Sequence, residues 1–471
     1  MKNLKYFLIC LSAALLATAC YKDKGNYDYT PISDIVIEDI ADRYTLVLPL
    51  DETLEITPRI ITSYPDNELE YEWIRIRNSE WDTISRARNL SYPIGESQGT
   101  STILYRIKNR VNGFFVHTTT SLTVQSEFSR GFYILKETAN GDTDIDLLLD
   151  DNRLGTDILE QTQGAPLQGK PRSLGVMYNR QLINPDTHEK SLAHCIGIIT
   201  YDKKVNILRA SDMYLAFDHE TLFYNEPDDI PYKFLECSLV NLYLSNNGVY
   251  SLSTRLSGSG YLGFPDGTVH ASEYWAWMVG SVGYLLWDAE ANGLAFVNMN
   301  GVTSRLDDVV YGDFSGLNSD CLFMAGYQNN AAYVLLKSKT TGLLSLYTFS
   351  GTYGSPPSFS TVTTIPATSG LYNATIITSN EKERAAIYFV VDNKLYYYDI
   401  STGVEAAFAP DGIPADETIT YVRHSHYTYG TPTFSYFVVG TYKDGQYNLY
   451  IYTMAGGLPA GEAVKRASAM V

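Results

Sequence analysis

The chain has 471 residues, a formal charge of −18 and a pI near 4.8, with 38 tyrosines against 18 phenylalanines. That length is too great for one hydrophobic core, so several domains or a repeat array are expected. The acidic balance excludes nucleic acid as a partner, because phosphates need a basic surface, and it disfavours adsorption onto anionic headgroups.

The first stretch reads as a targeting segment, residues 1–19. Lys2 and Lys5 form a positive start, and Phe7–Leu16 is apolar. A run of about ten apolar residues suits a signal peptide rather than a membrane span. Ala17-Thr18-Ala19 then leads into Cys20, which resembles a bacterial lipoprotein signal. That resemblance implies that Cys20 is acylated, anchors the chain in outer-membrane lipid and becomes the first mature residue. The alternative is an ordinary secretory signal with an incidental cysteine. Tyr21-Lys22-Asp23-Lys24 loosely resembles the charged run that sends Bacteroidota lipoproteins to the cell's outer face. Residues 20–31, containing Gly25–Tyr29, then form a polar tether.

Three cysteines remain in apolar settings, Cys195, Cys237 and Cys321, without metal-ligand spacing. Buried free thiols are expected, and one disulfide among them is the alternative.

Residues 32–127 pattern as a small sandwich. Asp34–Asp39 and Tyr44–Leu48 read as strands, and Thr53–Ile61 as one strand with an edge or bulge at Pro58. Leu69–Ile76 places Tyr71 and Trp73 opposite charged neighbours. Thr102–Lys108 and Phe115–Val124 flank Asn112-Gly113 as a terminal hairpin. About seven strands with a tryptophan in the third or fourth fit an immunoglobulin-like sandwich without its disulfide.

GNYDYTPISDIVIEDI after the lipobox, then YEWIRI and YRIKNRVNGFFVHTTTSLTV, resemble the PKD-like lipoproteins of Bacteroidota. The resemblance implies association with SusC/SusD-type outer-membrane nutrient uptake systems. It supplies no catalytic motif.

Residues 128–471 repeat a hairpin. Ile387–Val391 and Leu395–Ile400 flank Asp392-Asn393-Lys394, a tight-turn signal between apolar runs. Similar pairs are Phe132–Lys136 with Asp144–Leu149, Cys195–Tyr201 with Val205–Leu208, and Leu239–Leu244 with Val249–Ser253. Gly283–Asp288 with Leu294–Asn298, Ala332–Lys337 with Leu343–Phe349, and Ser435–Thr441 with Tyr447–Tyr452 complete seven. Starts at 283, 332, 386 and 435 are spaced by 49, 54 and 49 residues. A period of about 40–50 residues matches propeller blades. Stacking such hairpins radially buries both apolar faces, and closing the ring protects the edges. The fold class is therefore all-β: a sandwich followed by a β-propeller of seven blades. The long interval from 132 to 195 leaves eight open, and a hairpin inside an insertion would leave six.

Catalytic and metal signatures are thin. His424 and His426 share one face of a strand, which a metal could use, but no third ligand is evident, so a structural pair is expected. His194 beside Cys195 could suggest a thiol nucleophile, but the apolar residues that follow read as a strand. Asp228-Asp229 and Asp307-Asp308 are acidic pairs in loops, and sequence cannot set their separation. No P-loop, HExxH, EF-hand or G-x-S-x-G motif occurs. No catalytic residue, metal or cofactor is assigned.

The binding candidate is Gly258–Trp277, a Gly-rich loop followed by Tyr261, Phe264, Tyr274, Trp275 and Trp277. Aromatic surface on a rigid scaffold suits sugar rings or peptide side chains. The alternative places Trp275 and Trp277 in the core between blades. Tyr347–Ser360 reads as a second exposed loop. Two functions follow. One is a surface-exposed outer-membrane lipoprotein that binds an oligosaccharide or peptide, or docks on a SusCD-type TonB-dependent transporter. The other is a cell-anchored propeller glycoside hydrolase or lyase.

Overall fold

The structure is a computed structural model that describes residues 35–48, 53–77, 79–94, 99–128, 131–183, 187–237, 239–255, 260–308, 312–327, 330–427 and 434–471. The expected signal, Cys20 and the tether lie outside these residues. No described helix is long and apolar enough to cross a membrane. The chain divides into two compact units, residues 1–46 with 50–124 and residues 47–49 with 125–471.

In the first unit, alternation of buried and exposed residues builds a five-stranded sheet. Its order is Arg43–Leu48, Phe115–Ser126, Gly99–Asn109, Leu69–Arg77, Glu80–Ser85. Trp73 is fully buried and stacks on Tyr105 at 3.9 Å, while its indole N–H donates to the Ala87 carbonyl. On the opposite face Glu72 meets Arg86 and Arg106. The expected strand Thr53–Ile61 is two strands. Pro58 removes a ladder donor between them. Thr53–Ile56 pairs with Leu90–Pro93, and Arg59–Ile61 pairs with Val36–Glu38. Nine strands occur among the described residues of this unit, and Trp73 lies on the fifth rather than the third or fourth.

In the second unit, all seven sequence-read hairpins form, each in its own sheet. Seven sheets result, here called blades 1 to 7, beside one two-residue pairing of Asp307–Asp308 with Gly312–Asp313. Blade 1 comprises Phe132–Glu137, Thr143–Leu148 and Leu154–Gly155. Blade 2 comprises Pro171–Ile183, Lys190–Thr200, Val205–Arg209 and Leu215–Asp218. Blade 3 begins at Pro231–Cys237, blade 4 at Trp275–Met278, blade 5 at Ser319–Tyr327, blade 6 at Ile376–Ser379 and blade 7 at Thr418–Tyr427. The interval from 132 to 195 holds no eighth blade. It contains the short helix Ile158–Gln163 and the long strand Pro171–Ile183. Tyr347–Ser360 is no loop: it spans two strands of blade 5, Leu344–Thr352 and Ser355–Thr364.

Each blade buries one face against the blade before it and the other against the blade after. Ile145 and Leu147 of blade 1 pack with Ile196 and Ile198 of blade 2. Met177 and Ile207 of blade 2 pack with Phe234 and Tyr243 of blade 3. Similar cores join blades 3 and 4, 4 and 5, 5 and 6, and 6 and 7. The last core closes the circle, as Leu148 of blade 1 packs with Val438, Leu449 and Ile451 of blade 7. Tyr447 donates to Asp146 at 2.6 Å across the same seam. This closed sequence of seven interfaces is what makes the unit a propeller. The first strands of blades 2 to 7 lie innermost and approach closely. A Cβ on Gly175 would overlap the Phe234 carbonyl, and one on Gly326 would overlap the Trp277 carbonyl.

Candidate functional site

A polar groove of about 320 Å³ opens between blades 2 and 3. Its first wall is the tight turn after Lys190–Thr200, where Lys203 takes a positive φ of 62° and the Thr200 N–H donates to the Lys204 carbonyl. Its second wall is the connector from Asp218 to Pro231. Asp218 and Thr221 cap each other's backbone, and Leu222 and Phe223 plug into the core, which fixes the connector. Asp202, Lys203, Lys204, His219, Glu226 and Asp228 thereby face one cleft.

Donors and acceptors alternate across it. Lys203 Nζ meets Asp228 at 2.8 Å, and His219 Nε2 meets Glu226 at 3.2 Å. The His219 Nδ1 is buried with no hydrogen-bond partner among the described residues. Asp229 points inward, almost wholly buried, and accepts from the Tyr243 hydroxyl at 3.2 Å. The neighbouring carboxyls therefore diverge. The Lys203 ammonium holds Asp228 below the usual carboxylate range, whereas burial pushes Asp229 up. Two exposed tyrosines neighbour the groove-lining residues in sequence: Tyr201 precedes the turn, and Tyr224 lies within the connector. Arg172 lies over the rings of Tyr201 and Tyr232, at 5.0 and 4.4 Å.

The five aromatic candidates from the sequence do not form one surface. Tyr261 turns into the core of blades 2 and 3, edge-on to Phe217, and touches Tyr224 at 5.5 Å. Phe264 is 85% exposed. Tyr274 packs between blades 4 and 5. Trp275 and Trp277 face the other way, half-buried against Tyr284 between blades 3 and 4. Strand alternation separates Tyr274 from Trp275 by a whole blade. The groove residues His219, Glu226 and Lys203 escaped the sequence reading, although its pair Asp228-Asp229 lies beside them. The signal for them was the length of polar chain between two apolar strands.

Other motifs resolve structurally. His424 is fully buried, with Nδ1 accepting from the Glu381 N–H at 3.0 Å and Nε2 near Ser435. His426 instead meets Lys382 at 2.7 Å. His194 stacks edge-on against Tyr178, while Cys195 lies buried in the blade 2–3 core with its thiol pushed up to about 12 by burial. Cys195, Cys237 and Cys321 are all free. Among the described residues, Asp144, Asp157 and Glu160 bring carboxylate oxygens within 4.8 Å of one another. Protein donors already serve two of them. Asp144 caps the N–H groups of Leu159 and Glu160, and Asp157 pairs with Lys136.

The chain is similar, at low identity, to several solved structures. A quinonprotein alcohol dehydrogenase-like protein from Bacteroides thetaiotaomicron is 14% identical, with a TM-score of 0.42, over 93% of this chain and 96% of its own. Apo AztD from Citrobacter koseri is 9% identical with a TM-score of 0.37, over 85% and 98%. The WD40 domain of SCAP from fission yeast is 8% identical with a TM-score of 0.31, over 60% and 66%. No curated protein matches. Residues 20–171 match the PKD-like family, a stretch that includes the sandwich and blade 1.

Proposed function

We propose that the protein is a surface-exposed outer-membrane lipoprotein, acylated at Cys20, that captures an oligosaccharide or peptide nutrient. It does so alone or as an accessory subunit of a SusC/SusD-type TonB-dependent transporter. The observation that carries this reading is the groove between blades 2 and 3. Its paired charges offer donors and acceptors on rigid walls, and the exposed Tyr201 and Tyr224 neighbour the lining residues in sequence. Polar groups of fixed orientation beside aromatic faces are what hydroxyl-rich ligands and peptides require. The address rests on the resemblance of residues 1–20 to a bacterial lipoprotein signal.

The test is binding of the mature protein to a glycan array and a peptide pool. Lys203→Glu reverses an exposed groove charge and should weaken the best ligand about tenfold, the scale of one charge-assisted bond. Equal binding by the variant would remove the groove from the reading. A pull-down from detergent-solubilised outer membrane should recover a TonB-dependent transporter if the accessory role holds.

A second reading, a glycoside hydrolase or lyase, rests on Asp228 and Asp229, whose environments push their protonation in opposite directions. Glycan turnover by the mature protein that vanishes in Asp229→Asn would favour it.

A further inference from the structure

Blade 1 lacks a strand that the other six blades possess. Its three strands match the second, third and outer strands of blade 7. Phe132 meets Tyr436 edge-on at 5.8 Å, Asp146 meets Tyr447, and the carbonyls that follow Leu148 accept from Lys465. Among the described residues nothing pairs with the inner edge of Phe132–Glu137, whose ladder partner is Thr143–Leu148 alone.

The surroundings carry the mark of that gap. The corresponding strands Val240–Ser245 and Gly283–Asp288 are buried throughout, but Phe132, Tyr133, Ile134 and Leu135 are only half-buried. The inner strands on either side are also uncovered on the faces turned toward blade 1. Val176 of blade 2 is 40% exposed and Tyr421 of blade 7 is 45% exposed. Their neighbours Met177 and Val422 point the other way, into the adjoining cores.

We propose that this slot is a docking site for an extended peptide segment of a partner protein, which adds to blade 1 as its missing inner strand. An open ladder edge recognises extended backbone, and pockets on alternate sides read alternate side chains. Phe132 and Ile134 turn toward blade 7, whereas Tyr133 and Leu135 turn toward blade 2, so both faces of the added strand meet apolar surface. The ring itself shows the fit, since six positions of the same kind are filled by extended chain running antiparallel to its neighbour. Arg423 of blade 7 lies opposite Val438, on the face turned toward blade 1, half-exposed and with Glu381 no nearer than 3.9 Å, so it favours a segment that also carries a carboxylate. This site is separate from the groove, and its failure would leave the groove reading untouched.

The experiment selects displayed random decapeptides on the mature protein and follows amide hydrogen exchange of residues 132–137. Alternating apolar peptides should be enriched, and a selected peptide should slow exchange along this strand at least tenfold. Tyr421→Asp and Val176→Asp alter exposed walls without touching the strand, and each should lower peptide affinity tenfold or more with unchanged melting. The proposal is overturned if nothing is enriched, or if both variants bind as the parent does. It is also overturned if these amides exchange in the free protein as slowly as those of Lys190–Thr200, because another part of the chain then fills the slot.

Discussion

His424 is held neutral by its place in the fold. Burial, then His426 and Arg423, bring its imidazole down to about 4, while the unfolded chain titrates near 6.5. Between those values the unfolded state takes up a proton that the folded state refuses. Stability therefore falls as pH drops from 6.5 toward 4, by roughly 3 kcal/mol at the lower end. Urea unfolding at pH 7 and pH 4.5 measures this. The His424→Gln variant should show a much shallower loss between the two pH values, and an unchanged loss would mean that His424 is not the group responsible. In sequence the His424/His426 pair reads as structural rather than metal-binding, although spacing shows only which face a side chain occupies and not what that face touches.

The inner strands set the diameter of the ring, and glycine sets their spacing. Gly326 lies against the Trp277 carbonyl with no room for a Cβ. Gly326→Val should therefore force blades 4 and 5 apart and cost about 1–3 kcal/mol, read as a lower urea midpoint. An unchanged midpoint would mean that the two strands separate freely. The same elements show what was legible beforehand. The seven hairpins declared themselves through turn residues between apolar runs, because turn chemistry and strand period are local properties. Inner and outer strands such as Trp275–Met278 and Thr303–Arg305 did not, being short and shaped by neighbours distant in sequence. The aromatic cluster at 261–277 misled for a related reason. Period-two alternation puts Tyr274 and Trp275 in different cores, and composition alone cannot separate them.

At the scale of the propeller, closure rests on side chains that meet across some 300 positions of sequence, as Tyr447 and Asp146 do. Leu148→Ala and Ile451→Ala each empty part of this seam and should each cost about 2–4 kcal/mol. Because both residues belong to one cluster, the double variant should lose less than the sum of the two. Strict additivity in denaturant titrations would mean that the ring stands open in solution.

Every blade is made from one contiguous stretch, and among the described residues no ladder joins blade 7 to blade 1. A chain emerging N-terminus first can complete six blades before Thr418 appears, each on the back of its predecessor. The circle stays unfinished until Thr418–Met470 arrives. Until then the apolar flank of blade 1 waits uncovered, so the seventh blade to be made is the one that shields the first.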